Sequence, residues 1–234
     1  MYVRSGEERR RTLKRLFNED WYFKEAPLFD EFQLSRAMSE QQQYQPVEIP
    51  HDWLIYQTND LYRQSEGWYR KHFMIAKRQH KNFVLEFDGI HMNTEIYLND
   101  TLVFEWKYGY TPQIVNISDY LVDGENILFV RVKQEGANSR WYTGAGIFRN
   151  IWLHELGEVY VAPDDYYIHQ ERQSMHQWSL TIDTVITNHS DYNEKVRLEH
   201  RLFDANHQVM AFEQQDGAFG HRTTNCAHLT ILDT

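Results

Sequence analysis

Two short segments carry side chains whose chemistry suits the recognition of a sugar. Residues 47–53 read Val-Glu-Ile-Pro-His-Asp-Trp, so an extended stretch ends in an imidazole, a carboxylate and an indole. Residues 138–149 combine amide, guanidinium, indole and phenol groups with two glycines that allow the backbone to bend tightly. Sugar hydroxyls require planar, directional donors and acceptors, and the C–H face of a pyranose packs on an aromatic ring. The second segment therefore offers Asn138, Arg140, Trp141 and Tyr142 as candidate sugar contacts.

Each segment also has a purely structural interpretation. Asp52 could cap a turn, Trp53 could fill one end of a sandwich, and Arg140 could pair with a carboxylate. The spacing of these residues is compatible with both interpretations.

The sequence carries none of the common signatures of catalysis or metal binding. A Gly-rich phosphate loop, a His-Glu-x-x-His pattern and a Gly-x-Ser-x-Gly pattern are all missing. The 12 histidines show no convincing ligand spacing, and the single Cys226 excludes an internal disulfide and a cysteine-cluster metal site. We therefore expect no catalytic residue, no metal and no cofactor in this chain.

Charge and hydropathy restrict the partners. The 34 acidic residues against 24 Lys and Arg give a net charge of −10, which argues against nucleic acid. No apolar run approaches the ~20 residues that cross a bilayer, so a membrane partner is not expected. The first residues lack the apolar stretch of a secretory signal, which predicts a cytoplasmic protein.

Strands with one buried face are predicted nearly everywhere after residue 65. In residues 83–88 the apolar side chains alternate with polar ones, and residues 127–132 are almost wholly apolar, as in a central strand. Residues 94–98 and 101–104 flank Asn99-Asp100, a pair that favours a two-residue hairpin. Many short strands without long helices between them predict an all-β chain, built as an antiparallel sandwich or barrel.

The chain divides into two predicted domains, at residues 1–157 and 158–234. Gly, Pro and acidic residues cluster near the boundary. Beyond it we count four or five strands, fewer than the seven or so of an immunoglobulin-like sandwich, so this domain is expected to be cut short. Before residue 65 the pattern is weaker, and residues 7–16 and 29–43 suggest either short helices or a loosely attached arm.

The chain resembles the glycoside hydrolases of family 2. The resemblance rests on eight short motifs that occur in the family's order: 17–23 (Phe-Asn-Glu-Asp-Trp-Tyr-Phe), 50–53 (Pro-His-Asp-Trp), 67–71 (Gly-Trp-Tyr-Arg-Lys), 87–89 (Phe-Asp-Gly), 97–100 (Tyr-Leu-Asn-Asp), 109–112 (Gly-Tyr-Thr-Pro), 124–126 (Gly-Glu-Asn) and 139–149. In the fifth motif, Asp100 stands where the family usually has Gly. It implies a jelly-roll-like, galactose-binding-like β-sandwich followed by a partial immunoglobulin-like β-sandwich.

The resemblance also implies a function for the piece. Family members perform retaining hydrolysis on a (β/α)8 barrel, which alone takes ~250 residues and is not encoded here. Asn18-Glu19 is similar to the family's catalytic Asn-Glu pair but lies in the wrong motif. The resemblance therefore implies a non-catalytic fragment, most similar to β-galactosidases, that lends Asn138, Arg140, Trp141 and Asp52 to the rim of the sugar pocket.

Two alternatives to this interpretation stay open. The chain could be a free-standing, lectin-like carbohydrate-binding module, or it could have a mainly structural role, since family members commonly form homo-oligomers. The sequence does not fix the sugar, because β-glucuronidases and β-mannosidases share the architecture.

Overall fold

The described residues form an all-β protein, as predicted. The computed structural model describes residues 2–4, 13–28, 35, 37, 39, 43–56, 58–76, 80–136, 142–175, 177–220 and 223–233. Seventeen strands lie within these ranges: β1 (Tyr2–Arg4), β2 (Leu13–Leu16), β3 (Trp21–Ala26), β4 (Gln45–Val47), β5 (Ser65–Ile75), β6 (Asn82–Phe87), β7 (Thr94–Leu98), β8 (Thr101–Trp106), β9 (Gln113–Asn116), β10 (Gly124–Gln134), β11 (Ile151–Leu156), β12 (Val159–Tyr160), β13 (Tyr166–Arg172), β14 (Trp178–Asn188), β15 (Glu194–Phe203), β16 (Val209–Phe219) and β17 (Thr223–Asp233).

The weakly patterned N-terminal region is partly described. The helical turn considered for residues 7–16 is wrong over Leu13–Leu16, which is a strand, and residues 5–12 lie outside the described residues. Within the segment 29–43, Ser35, Ala37 and Ser39 have helical backbone conformation. No helix among the described residues has the length and apolar character to pass through a membrane.

The chain divides into two compact units. The central unit comprises Lys14–Arg78 and Phe83–His154. The terminal unit comprises Met1–Leu13, Gln79–Asn82 and Glu155–Thr234.

The central unit is a jelly-roll-like sandwich of two antiparallel sheets. One sheet has the strand order β4-β3-β5-β10-β7-β8, and the other has the order β2-β11-β6-β9. Strands β5 and β10 pair over their full lengths of eleven residues each, in register from Ser65↔Gln134 to Ile75↔Gly124. Alternate residues of these strands face the core, where Tyr69, Leu128 and Val130 are completely buried. Each such side chain contributes about 1.5–3 kcal/mol on burial, so this core dominates the stability of the unit.

The hairpin predicted at Asn99-Asp100 is confirmed. The two residues join β7 to β8 and have φ values of +47° and +69°, the left-handed conformation that both central positions of such a turn require. Asn99 also bonds to the neighbouring strand β10, since its Oδ1 accepts a hydrogen bond from the backbone N–H of Ile127 at 3.0 Å.

The face of the six-stranded sheet that points away from the sandwich core carries a buried ion-pair network. Glu66 is fully buried, and its Oε2 accepts a hydrogen bond from Nη2 of Arg131 at 2.6 Å. Its Oε1 accepts another from Nε1 of Trp68 at 2.8 Å. Nη1 of Arg131 donates to Oε2 of Glu95 at 3.2 Å, so one guanidinium joins two carboxylates on three strands. This network explains the one charged residue in the otherwise apolar run of β10.

The terminal unit is an immunoglobulin-like sandwich. Its sheets have the orders β1-β15-β16 and β12-β14-β13, with β17 paired to β14. Within the described residues this makes seven strands, more than the sequence pattern revealed. The strand β13 was missed because all seven of its residues are exposed, so it has no apolar alternation. The strand β1 was missed because three residues carry too little pattern; its Val3 pairs with Leu198 of β15.

Candidate functional site

The two segments singled out from the sequence lie side by side in the central unit. The backbone N–H of His51 donates to the carbonyl oxygen of Ile147 at 2.7 Å, and that of Trp53 donates to the carbonyl oxygen of Ala145 at 3.3 Å. A third segment joins them, because His91 and Gly146 exchange two backbone hydrogen bonds, at 2.9 and 2.8 Å. The site is thus built where three connections between strands meet.

Asp52 is the centre of this arrangement. Its Oδ1 accepts hydrogen bonds from the backbone N–H groups of Leu54, at 3.0 Å, and of Ala145, at 3.1 Å. Its Oδ2 accepts a hydrogen bond from the hydroxyl of Tyr142. The bond to Leu54 caps the turn, so the structural interpretation of Asp52 is realised, and the other two bonds fix the chain that follows residue 141.

Of the four residues proposed for the rim of a sugar pocket, Asp52 is described. Asn138, Arg140 and Trp141 lie outside the described residues, so their contribution stays a prediction. These three residues belong to the segment 137–141, and the described residues that flank it in sequence are Gly136 and Tyr142.

The described residues that flank the segment 137–141 are bonded to side chains near the Asp52 turn. At the C-terminal end, Tyr142 is bonded to Asp52. At the N-terminal end, Nε2 of Gln64 donates to the carbonyl oxygen of Glu135 at 3.2 Å. Gln64 precedes Ser65, whose Oγ accepts a hydrogen bond from Nε1 of Trp53 at 3.0 Å. The described residues Glu135 and Tyr142, which flank the segment in sequence, are thus bonded to Gln64 and to Asp52.

A cluster of four rings, contributed by Phe23, His51, Trp53 and Tyr69, packs around the turn that contains Asp52. The ring of Phe23 lies 4.7 Å from that of His51, 5.4 Å from that of Trp53 and 4.9 Å from that of Tyr69, between centroids. Trp53 is 3% exposed, so it fills this end of the sandwich as its structural interpretation holds. The hydroxyl of the fully buried Tyr69 lies 2.8 Å from Nδ1 of His51.

Sequence reasoning missed Arg63, which adds a positive charge to the site. Its Nε and Nη2 donate to the two carboxylate oxygens of Glu25, at 2.7 and 2.9 Å, and Nη2 also donates to the carbonyl oxygen of Trp53, at 3.3 Å. Arg63 lies in a connection without periodic pattern, and Glu25 is 38 residues away, so no local signal marks the pair.

The acid–base state of the site favours fixed hydrogen bonds. Burial, together with the hydrogen bond to Asp52, raises the pKa of the Tyr142 hydroxyl well above its usual value of 10.0, and nearby Arg63 opposes this shift. Tyr142 therefore stays protonated at neutral pH and keeps donating to the Asp52 carboxylate.

Three histidines should make the stability of the central unit depend on pH. Burial lowers the pKa values of His51, His91 and His154 below their usual 6.5, against the opposing effect of nearby carboxylates. Each one therefore gains a proton more readily in the unfolded chain. Their stabilising effect is complete above the unfolded pKa and decreases as the pH falls below it, by up to about 1.4 kcal/mol per pH unit for each histidine.

We expect the urea midpoint of the central unit to be constant from about pH 8 to about pH 7 and to fall between about pH 6.5 and pH 5. Tryptophan fluorescence reports mainly on this unit, since six of the seven tryptophans fall within its residue ranges. The pKa values of Glu86 and Glu95 are lowered by their hydrogen-bonded partners, against the effect of burial, so these carboxylates change the stability only below about pH 4.5. A midpoint that is equal at pH 7.5 and pH 5.5 would contradict the expectation.

The carboxylate at the centre of this site is engaged within the protein itself. One carboxylate, Asp52, has its oxygens engaged by three donors of the protein itself. In the part of the chain that the structure describes, no group of three or more His, Cys, Asp and Glu side chains is placed to hold a metal ion.

Comparison with known proteins identifies the family. Residues 30–157, more than half of the chain, match the family model described as "Glycosyl hydrolases family 2, sugar binding domain". The chain belongs to glycoside hydrolase family 2, as the resemblance of its motifs predicted.

Its relatives include glycosidases of two named activities. A β-galactosidase of Bacteroides ovatus is 33% identical over 216 residues, which cover 86% of this chain and 25% of the relative. A protein named putative β-glucuronidase from Formosa agariphila is 29% identical over 184 residues, covering 73% of this chain and 17% of the relative. The chain thus spans about a quarter or less of the length of these curated relatives.

Solved structures share the fold over almost the whole chain. A family 2 glycosyl hydrolase from Bacteroides cellulosilyticus matches with a TM-score of 0.79 and 29% identity, over 94% of this chain and 30% of that one. A putative β-galactosidase from Bacteroides fragilis matches with a TM-score of 0.81 and 22% identity, over 95% of this chain and 35% of that one. The second likeness concerns the fold alone.

Proposed function

We propose that this chain is the N-terminal, non-catalytic part of a retaining family 2 glycosidase of the β-galactosidase type. In this proposal the central unit lends the segment 137–141 to the rim of a sugar pocket, and a catalytic barrel elsewhere in the whole protein performs the hydrolysis. The family match and the β-galactosidase relative support the glycosidase. The fraction of each relative that the chain covers supports the view that the reacting residues lie outside it.

The observation that carries the proposal is the anchoring by Asp52. Its carboxylate ties the Pro-His-Asp-Trp turn to Tyr142, which follows Trp141 in the sequence and lies within four residues of Asn138 and Arg140. Tyr142 and Glu135, which flank these residues in sequence, are held by Asp52 and Gln64, and such anchors would lower the cost of ordering ligand contacts made between them. In this role Asp52 positions the loop.

Contacts made by such a rim are the same in the ground state and in the transition state. They therefore tighten substrate capture more than they accelerate the chemical step. Removing one should raise KM and leave kcat nearly unchanged.

The test uses the full-length protein encoded by the gene and an aryl β-galactoside. We expect Asp52→Asn to raise KM by about tenfold, with kcat within about threefold of the original value. The matched control is Asp204→Asn in the terminal unit, which changes another turn-capping carboxylate, whose Oδ1 accepts hydrogen bonds from the backbone N–H groups of Asn206 and Gln208 at 2.9 and 2.7 Å. Urea unfolding of both variants separates lost folding from lost binding.

Two results would contradict the proposal. One is hydrolysis of the aryl β-galactoside by the purified 234-residue chain. The other is a large fall in kcat with unchanged KM in Asp52→Asn, which would place Asp52 in the chemical step. Parallel assays with an aryl β-glucuronide decide between the two activities named among the relatives.

A further inference from the structure

Three exposed aromatic rings follow one another at alternate positions in the central unit. Trp106 ends β8, and Tyr108 and Tyr110 lie in the connection to β9. Their exposed fractions are 42%, 55% and 49%, although rings of this size are usually covered. We call these three residues the aromatic row.

The aromatic row is held in place by contacts within the protein. The ring of Phe104 stacks on that of Trp106, with centroids 6.1 Å apart and an angle of 18° between planes. Nε1 of Trp106 donates to Oγ1 of Thr111 at 3.3 Å, and the rings of Tyr108 and Tyr110 meet edge to face at 5.7 Å. Rings fixed in this way lose little conformational entropy when a ligand packs on them.

The aromatic row begins beside the candidate sugar site. The ring of Tyr110 lies 5.1 Å from that of His91, whose backbone is paired with Gly146. Gly109 allows this approach, because a Cβ atom there would lie 2.5 Å from Cδ2 of His91. A ligand that extends from the Asp52 turn past His91 would therefore meet the aromatic row at Tyr110.

We propose that the aromatic row is a subsite for the outer sugar units of a β-linked oligosaccharide, a proposal that rests on the proposed function for the ligand class. Pyranose rings pack their C–H faces on aromatic rings, and several exposed rings near one another can contact more than one sugar unit of a chain. The tyrosine hydroxyls, with exposed Glu105 and Lys107, offer donors and acceptors to sugar hydroxyls. The charged residues Glu105 and Lys107, next to the aromatic row in sequence, also make this surface a poor centre for a protein interface, where such residues are depleted.

The test titrates the 234-residue chain with β-1,4-linked galactotetraose and, separately, with galactose, by calorimetry. We expect a dissociation constant of about 1 mM or below for the tetrasaccharide and at least about tenfold weaker binding of galactose. Trp106→Ala should weaken tetrasaccharide binding by about tenfold or more. The matched control is Trp178→Ala, since Trp178 is 44% exposed and lies in the terminal unit. Tyr108→Ala gives a second variant in case Trp106→Ala is unstable.

Several outcomes would overturn the proposal. These are equal affinity for tetrasaccharide and galactose, tetrasaccharide binding that both row variants retain, or no binding at all. A concentration-dependent mass in sizing chromatography that Trp106→Ala abolishes would also overturn it, because the row would then join two copies of the chain. The proposed function is tested separately by the short aryl galactoside and Asp52→Asn, so either idea can fail without the other.

Discussion

Gly146→Ala is expected to cost the central unit about 2–6 kcal/mol of unfolding free energy, the sum of backbone strain and overpacking. Gly146 has a φ of +119°, a conformation that residues with a Cβ atom rarely adopt. A Cβ atom there would also lie 2.3 Å from the hydroxyl oxygen of Tyr69 and 2.6 Å from the carbonyl oxygen of His51. Neither neighbour moves easily, because Tyr69 is completely buried and the His51 oxygen belongs to the backbone. Urea unfolding followed by tryptophan fluorescence measures the loss.

Gly124→Ala is the matched control for this prediction. Gly124 has a similar φ of +97°, but a Cβ atom at this position would have nothing within 4 Å. It should therefore show the strain of about 1–3 kcal/mol without the overpacking. Equal losses in the two variants would mean that the close approach at Gly146 has no energetic importance.

The second large effect is expected in the ion-pair network of the six-stranded sheet. Glu66→Leu should destabilise the central unit by about 3–5 kcal/mol. The reason is that the largely buried charge of Arg131 would lose Glu66 and keep only Glu95 as a carboxylate partner in the network. The side chains of Glu66 and Arg131 are 0% and 16% exposed, so water replaces the lost carboxylate poorly. Trp68 would also lose the acceptor of its indole N–H. Urea unfolding by the same fluorescence signal measures the change.

An exposed carboxylate–imidazole contact between β5 and β10 provides the comparison. Glu125 lies 3.0 Å from Nδ1 of His72 and its side chain is 64% exposed, so Glu125→Ala should change stability by no more than about 0.5 kcal/mol. Adding Arg131→Met to Glu66→Leu should recover much of the loss, because the unpaired charge is removed. If Glu66→Leu costs no more than Glu125→Ala, the network does not stabilise the sheet.

The features that sequence predicted are those encoded by neighbouring residues. The alternation of apolar and polar side chains predicted β6, and the pair Asn99-Asp100 predicted the hairpin. The order of the short motifs along the chain predicted the family. By contrast, the hydrogen bond from Tyr142 to Asp52 joins residues 90 positions apart, and the one from Arg131 to Glu66 joins residues 65 apart. Such pairs follow from the strand order, which no local pattern specifies.

Exposure explains the other omissions. The strand β13 has no buried face, so its sequence lacks the alternation that reveals strands. The sequence did not single out Trp106, because aromatic residues are common in strands and its exposure is not visible in the sequence. Only the structure distinguishes a ring that is left at the surface from one that packs in the core.

The pairing of Tyr2–Arg4 with β15 links the order of synthesis to the order of folding. Tyr2–Arg4 leave the ribosome before their partners, Arg197–Glu199, which are added almost two hundred residues later. The central unit lies entirely within Lys14–His154, so it has all its strands well before then. During translation, the central sandwich should therefore fold before β15, the partner strand of β1, has been synthesised. A version of the terminal unit produced without residues 2–4 would carry an open strand edge on β15, a known route to aggregation.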